Sequence, residues 1–188
     1  MHSLCRKTVY DYRVKSLPIK RGDMDLMNNK KIIFICSYNS VRSPIAEGLF
    51  RQKGYGQKYS VCSAGLAPIR VRPYAVRVMQ ESGIDITGHI PASVYTCRNT
   101  HFDYVITLCD NARNTAEEVL SGSDHFFHKN FISPLEIGMH PDELLGEYRQ
   151  LRDAISSWLD ELFPFEIPVA GQEYAERKPG SLVSGPPS

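Results

Sequence analysis

The stretch Ile32-Ile33-Phe34-Ile35, introduced by Lys31, constrains the fold more than any other part of the chain. A strand with one wet face alternates apolar and polar residues. An unbroken, β-branched run instead demands burial on both faces, which is the situation of an inner strand in a parallel sheet. Parallel neighbours can be reached only by crossover connections, so helices must alternate with strands. The rest of the sequence supplies that alternation. Pro44, behind Ser43, opens a helix whose Ile45, Ala46, Leu49 and Phe50 form one apolar face and which stops at Gly54. Tyr59-Ser60-Val61-Cys62-Ser63 predicts a second strand, ending at Ala64-Gly65. Pro73 opens another helix with Val76 and Met79 inward and Gly83 past its end. Phe102 to Leu108 reads as a third strand, leading through Cys109-Asp110-Asn111 into a short helix that runs to Leu120. A fourth strand is expected around Phe126 to Phe131, its pattern interrupted by His125, His128 and Lys129. Leu144, Tyr148, Leu151, Ile155, Trp158, Leu159 and Leu162 keep helical spacing in the last element. The expected architecture is a doubly wound α/β fold, a four-stranded parallel sheet flanked by helices.

Composition limits what such a fold can be doing. With 188 residues, 42% hydrophobic and 23% charged, one globular domain is expected. It is placed at residues 30–163, after an N-terminal extension over 1–29. From 164 to 188 the composition shifts to Pro, Gly, Ser and Glu, which predicts a disordered tail. A formal net charge of +1 supplies no field for nucleic acid, so any anion preference must be local. No apolar run approaches the roughly 18 residues of a membrane span, and charges fill the N-terminal segment, so no membrane partner and a cytoplasmic location are expected. The cysteines at 5, 36, 62, 97 and 109 form no CxxC pair and have no histidines at ligand spacing, so neither a metal site nor a disulfide framework is expected.

Ligands of an open parallel sheet bind at the carboxyl ends of its strands. Cys36-Ser37-Tyr38-Asn39-Ser40-Val41-Arg42-Ser43 falls there, between the first strand and its helix. With a cysteine and an arginine at its ends, such a loop can curl so that its amides converge at a helix start. That nest binds a tetrahedral oxyanion and favours the anionic form of a thiol held in it. Arg42 adds a planar, two-pronged donor that lysine does not reproduce. Ser43 can hydrogen-bond the Cys36 thiolate, and Asn39 can brace the loop from inside. Cys-x5-Arg by itself is common by chance and equally describes a packed cysteine beside a surface arginine. The strand before it and the proline-started helix after it decide for the anion loop. Elsewhere the plainer readings hold: His125 and His128 as surface or packing residues, Cys62 within a strand and Cys97 in a loop as structural thiols. Tyr38 would shape access to the loop, with Tyr55 and Tyr59 flanking the pocket mouth.

Ile35-Cys36-Ser37-Tyr38-Asn39-Ser40-Val41-Arg42-Ser43-Pro44-Ile45-Ala46-Glu47-Gly48 resembles the phosphate loop of the low-molecular-weight protein tyrosine phosphatases and of the thioredoxin-coupled arsenate reductases built on the same fold. The resemblance runs from about Lys30 to Phe163 and takes in Ser63-Ala64-Gly65, Pro73 to His89, Phe102 to Cys109 and Tyr148-Arg149-Gln150-Leu151-Arg152-Asp153. Gly83-Ile84-Asp85-Ile86 and Thr107-Leu108-Cys109 look more like the reductase branch. The resemblance implies that Cys36 attacks phosphorus or arsenic while residues Ser37, Tyr38, Asn39, Ser40, Val41 and Arg42 hold the oxygens, without a cofactor. In the reductase branch a second cysteine then attacks the arsenic-bound one, and Cys109 stands at that position. A third cysteine is expected where this chain has Ala116, so an external thiol, from thioredoxin, glutaredoxin or a small molecule, would have to finish the reaction. The family's general acid, the Asp of an Asp-Pro pair, is replaced in Ser133-Pro134 by a hydroxyl, a very poor acid near neutrality. Glu136, Asp124 or water would have to substitute, or poor leaving groups would react slowly. Val41 also replaces a small residue or cysteine. These implications favour an arsenate reductase-like enzyme over a phosphatase acting on phosphotyrosine or small phosphate esters, and over a weakened oxyanion-binding module.

Overall fold

The computed structural model of the chain describes residues 30–54 and 59–163. The extension over 1–29, the tail over 164–188 and Tyr55 lie outside the described residues. Strand β1 (Lys30–Cys36) is followed by helix α1 (Arg42–Gln52), β2 (Tyr59–Gly65), α2 (Pro73–Glu81), a 3-10 helix (Val94–Cys97), β3 (Tyr104–Thr107), α3 (Asp110–Val119), β4 (His125–His128) and α4 (Pro141–Leu162). The strands form one sheet in the order β2-β1-β3-β4, parallel throughout. β1 has a neighbour on each side, and Ile32, Ile33, Phe34 and Ile35 are completely buried, as their unbroken apolar run requires.

The chain steps from β1 to β2 in one direction along the sheet and from β3 to β4 in the other. With right-handed crossovers, α1 and α3 therefore cover opposite faces. α1 packs with α2 and α4, whereas α3 packs with the 3-10 helix, β3 and β1. The reversal of direction lies at β1, so Cys36 leaves the sheet where its neighbours diverge, in the crevice such folds use for ligands. Among the described residues no helix is long and apolar enough to cross a membrane.

Several boundaries differ from those expected. β3 is confined to Tyr104–Thr107 and β4 to His125–His128. β4 is an edge strand with a single neighbour. After His128 the Lys129 amide bonds to the Thr107 carbonyl at 3.0 Å and the Phe131 amide to Leu108 at 3.1 Å, and the chain leaves the sheet. The Phe131 ring then meets Trp158 edge-on at 5.6 Å, with the Lys129 ammonium over both rings. α1 begins at Arg42, which puts Pro44 inside its first turn, where a missing N–H does no harm. In α2 the inward positions are Ala75, Val78 and Met79, with Val76 only half-buried. Tyr59 is not at a pocket mouth: it begins β2 and is buried against Phe50, Tyr104 and Phe163. Cys97 lies in the 3-10 helix rather than in a loop.

Candidate active site

β1 ends at Cys36, paired across the sheet with Gly65, and the chain turns through residues 37–41 into α1. This turn is laced to the segment after β2. The carbonyls of Cys36, Ser37, Tyr38 and Ser40 accept from the amides of Leu66 (3.3 Å), Ala67 (2.9 Å), Ile69 (3.0 Å) and Arg72 (3.0 Å). In a trans peptide the carbonyl and the next N–H point in opposite directions. The amides of Ser37, Tyr38, Asn39 and Val41 are therefore turned away from that segment, toward the inside of the loop. Among the described residues none of the amides of residues 37 to 43 donates to a backbone carbonyl. With the first-turn amides of α1 they make a cluster of free donors at the positive end of a helix. The close lacing depends on Gly65, where a Cβ would lie 2.6 Å from the Asn39 amide nitrogen and 2.8 Å from the Tyr38 carbonyl carbon.

Asn39 adopts φ 47°, in the left-handed region that asparagine tolerates better than most residues. Its side chain is saturated. Nδ2 donates to Ser43 Oγ (2.9 Å) and Ser63 Oγ (2.8 Å), while Oδ1 accepts from the Ala92 amide (2.9 Å) and faces His89 Nε2 at 3.2 Å. Because Ser43 Oγ accepts from Asn39, its own hydrogen is available to the Cys36 sulfur at 3.1 Å in preference to the Ala64 carbonyl at 3.4 Å. Ser63 passes its hydrogen to Glu47 Oε2 (2.7 Å), and Glu47 Oε1 accepts from Arg51 Nε (3.1 Å) and Nη2 (2.8 Å). A side-chain relay thus runs from the surface of α1 to the Cys36 sulfur. Sequence reasoning found Asn39 and Ser43 but missed Ser63, Glu47 and His89 as members. Part of the signal was present, because Ser43 and Glu47 stand four residues apart on α1, one above the other on its face, and Asn39 lies in the loop just before that helix.

The His89 side chain is 13% exposed, with Nδ1 3.7 Å from Glu47 Oε2. Burial pushes its pKa below the ordinary 6.5; the Glu47 charge pulls the other way, and the Arg51 charge adds to the lowering. The unfolded chain therefore takes up this proton at a higher pH than the folded one. The contribution to stability is full above 6.5 and declines as pH falls below it. His89→Gln should flatten that decline below pH 6.5, in denaturant titrations repeated across the acid range. A variant whose stability still falls as steeply as the parent's would assign the titration to another group.

Arg42 is half-buried, and its Nη1 donates to the Phe131 carbonyl at 3.1 Å. Its Nε is buried without a hydrogen-bond partner, a state that disfavours the protein by about 1–3 kcal/mol unless something accepts from it. Cys109 is the N-cap residue of α3, 3% exposed, with its sulfur 3.3 Å from Ser37 Oγ. It contacts the loop one residue past Cys36. The sulfurs of Cys62 and Cys97 lie instead against the carbonyls of Ile32 (3.8 Å) and Ser93 (4.0 Å). Tyr38 is half-exposed at the rim.

Ser133 is half-buried in the segment between β4 and α4, two residues past Phe131. Asp124 does not approach it. Asp124 precedes β4 and pairs with His101 at 3.3 Å, at the opposite end of the sheet from Cys36, and is set aside as a proton donor for the loop. Glu136 is engaged on both oxygens, by the Tyr148 hydroxyl at 2.7 Å and by Arg72 Nη1 at 3.5 Å. Burial, reinforced by Glu136, pushes the Tyr148 pKa well up, so the phenol stays a donor. His125 stacks on Tyr104 at 5.4 Å, the packing role expected of it. His128 goes beyond packing: it bonds to Thr107 and to Asp110. Among the described residues no group of His, Cys, Asp and Glu could hold a metal ion.

A strand-ending cysteine, a donor loop and an arginine at the start of a helix define a class of thiol enzymes that act on oxyanions. Residues 31–132 match the low molecular weight phosphotyrosine protein phosphatase family, and the chain belongs to that family and is an enzyme. It is similar to an arsenate reductase of Halalkalibacterium halodurans, 34% identical over 129 residues that cover 69% of this chain and 91% of the relative. A glutaredoxin arsenate reductase of Synechocystis sp. is 40% identical over 89 residues, covering 47% of this chain and 67% of that protein. A solved arsenate reductase in a phosphate binding state aligns with TM-score 0.57 and 32% identity over 71% of this chain and 95% of that one.

Proposed function

We propose that this enzyme reduces arsenate to arsenite, with Cys36 as nucleophile, Arg42 and residues 37–43 as the oxyanion cradle, and Cys109 as the second thiol. The observation that carries the proposal is the pair of buried thiols on adjoining strand ends, Cys36 in the cradle and Cys109 against its Ser37. The partnerless Nε of Arg42 supports the cradle, since a bound oxyanion would accept from it. The similarity to arsenate reductases over most of their length supports the chemistry.

In this scheme the Cys36 thiolate displaces an oxygen of arsenate, which leaves as water after protonation, and forms a sulfur–arsenic bond. The Cys109 thiolate then attacks the Cys36 sulfur. A disulfide forms, the electron pair of the sulfur–arsenic bond passes to arsenic, and As(V) becomes As(III). Ala116 offers no third thiol, so two electrons from an external thiol, of the thioredoxin or glutaredoxin class or a small molecule, restore the pair. A cytoplasmic, reducing setting suits that demand. Phosphate ester hydrolysis is the second reading, because the same cradle accepts phosphate; Ser133 in place of an acid restricts it to good leaving groups.

Arsenate reduction with several thiols, assayed beside aryl phosphate hydrolysis, tests the proposal. Cys109→Ser should lose arsenite production by about 100-fold or more while keeping hydrolysis of activated aryl phosphates, since only reduction needs a second thiol. Arsenate reduction at the parental rate in that variant would remove Cys109 from the mechanism. Iodoacetamide should label Cys36 first, and phosphate or arsenate should protect it.

A further inference from the structure

One imidazole grips the chain on both sides of Cys109. His128, the last residue of β4, stands opposite Thr107 in the sheet. Its Nδ1 lies 2.7 Å from Thr107 Oγ1 and its Nε2 3.0 Å from Asp110 Oδ1. Thr107 is two residues before Cys109 and Asp110 is the residue after it. The Thr107 hydroxyl also donates to the Phe127 carbonyl at 3.3 Å, so the arm through Nδ1 is tied to the backbone of β4 as well. Thr107 is 2% exposed, so this arm is anchored in the protein interior.

The Cys109 side chain meets Ser37 Oγ at 3.3 Å but does not cap its own helix. The residue occupies the N-cap of α3 in an extended conformation, φ −161° and ψ 149°, without a side-chain cap bond, where serine or aspartate would normally fix the helix start. Disulfide closure demands that two Cβ atoms come within about 4 Å in a defined orientation. A thiol on a loosely held helix start would meet that demand only part of the time.

We propose that His128 is a positioning residue for Cys109: by bonding Thr107 and Asp110 it fixes the backbone that aims the second thiol at Cys36. The proposal rests on the reading of Cys109 as the thiol that resolves Cys36. His128 acts through the residues that flank the thiol, Thr107 and Asp110.

The test separates the clamp from the arsenate chemistry by closing the disulfide with hydrogen peroxide. The oxidant converts Cys36 to a sulfenic acid with release of water, and the Cys109 thiol condenses with it, releasing a second water. His128→Phe keeps a flat ring and removes both arms; Thr107→Val removes one, and Thr107→Ser retains the hydroxyl. Peptide mapping of quenched samples should show closure slowed about 10- to 100-fold in His128→Phe and Thr107→Val, the penalty of a misplaced reacting group, with Thr107→Ser close to the parent. Cys36 alkylation should be unchanged in all of them. With arsenate, the two impaired variants should lose kcat while KM for arsenate stays put, because the cradle is untouched. Parental closure rates in both His128→Phe and Thr107→Val would overturn the proposal, as would equal slowing in Thr107→Ser and Thr107→Val. If His128→Phe does not fold, the two threonine variants decide alone. Arsenate reduction at full rate by Cys109→Ser would defeat the functional reading of that thiol, while peroxide closure would still decide whether His128 aims it.

Discussion

Ser133→Asp should accelerate phosphotyrosine hydrolysis by about 10²- to 10⁴-fold, the usual contribution of a placed general acid. Transfer of the phosphoryl group to Cys36 expels the ester oxygen. An unassisted phenolate of high basicity is a poor leaving group, and a serine hydroxyl cannot supply its proton near neutrality. Ser133 sits two residues past Phe131, whose carbonyl takes a hydrogen bond from Arg42, so its segment is tied to the cradle. A carboxyl group there would stand two residues from the point where Arg42 holds this segment. Esters of acidic phenols need no proton and should respond little, and arsenate reduction should respond less than phosphotyrosine hydrolysis. The parent should therefore show a steep dependence of rate on leaving-group basicity that flattens in the aspartate variant. A parent already insensitive to the leaving group would mean that another group donates the proton. Glu136, committed on both oxygens to Tyr148 and Arg72, would have to break those bonds to do so.

Arg42→Lys should weaken turnover of oxyanion substrates by about 10²- to 10³-fold, the range found when one preorganised donor is removed from an anion hole. The charge survives and the fork does not. Stability should hold or rise. The parent keeps a buried Nε–H without an acceptor, and its removal offsets the loss of the bond to the Phe131 carbonyl. The concentration of phosphate that half-protects Cys36 from iodoacetamide measures the first effect, and thermal unfolding the second. A lysine variant protected at the parent's phosphate concentration would leave Arg42 without its proposed part in the cradle.

The sequence was most legible where one physical demand acted alone. Ile32 to Ile35 had to be buried on both faces, and the α4 periodicity admitted no other element. β3 and β4 came out shorter than expected, because Phe102 and Phe131 are apolar for the sake of the core and not of the sheet. Local spacing does not encode partners drawn from several elements, which is why Ser63 and His89 went unseen beside Asn39. Asp124 and His128 teach a sharper rule. In a parallel sheet every residue that precedes a strand is a full strand length from every residue that follows one. Asp124 therefore could not serve the loop after β1, whereas His128, closing β4, emerges on the side of Cys109.

The saturated carboxamide of Asn39 has a consequence for how the enzyme chooses among substrates. Residues 37–41 give up their conformational freedom when the chain folds, so an arriving anion sacrifices only its own freedom and its hydration. A cradle set in advance admits tetrahedral anions of similar size on nearly equal terms. On the proposed mechanism the distinction between them comes afterwards, in whether a leaving group needs a proton that Ser133 cannot give or an adduct needs electrons that Cys109 would supply. Selection is then a matter of rate and not of affinity, and phosphate should be held as readily as arsenate and released unchanged.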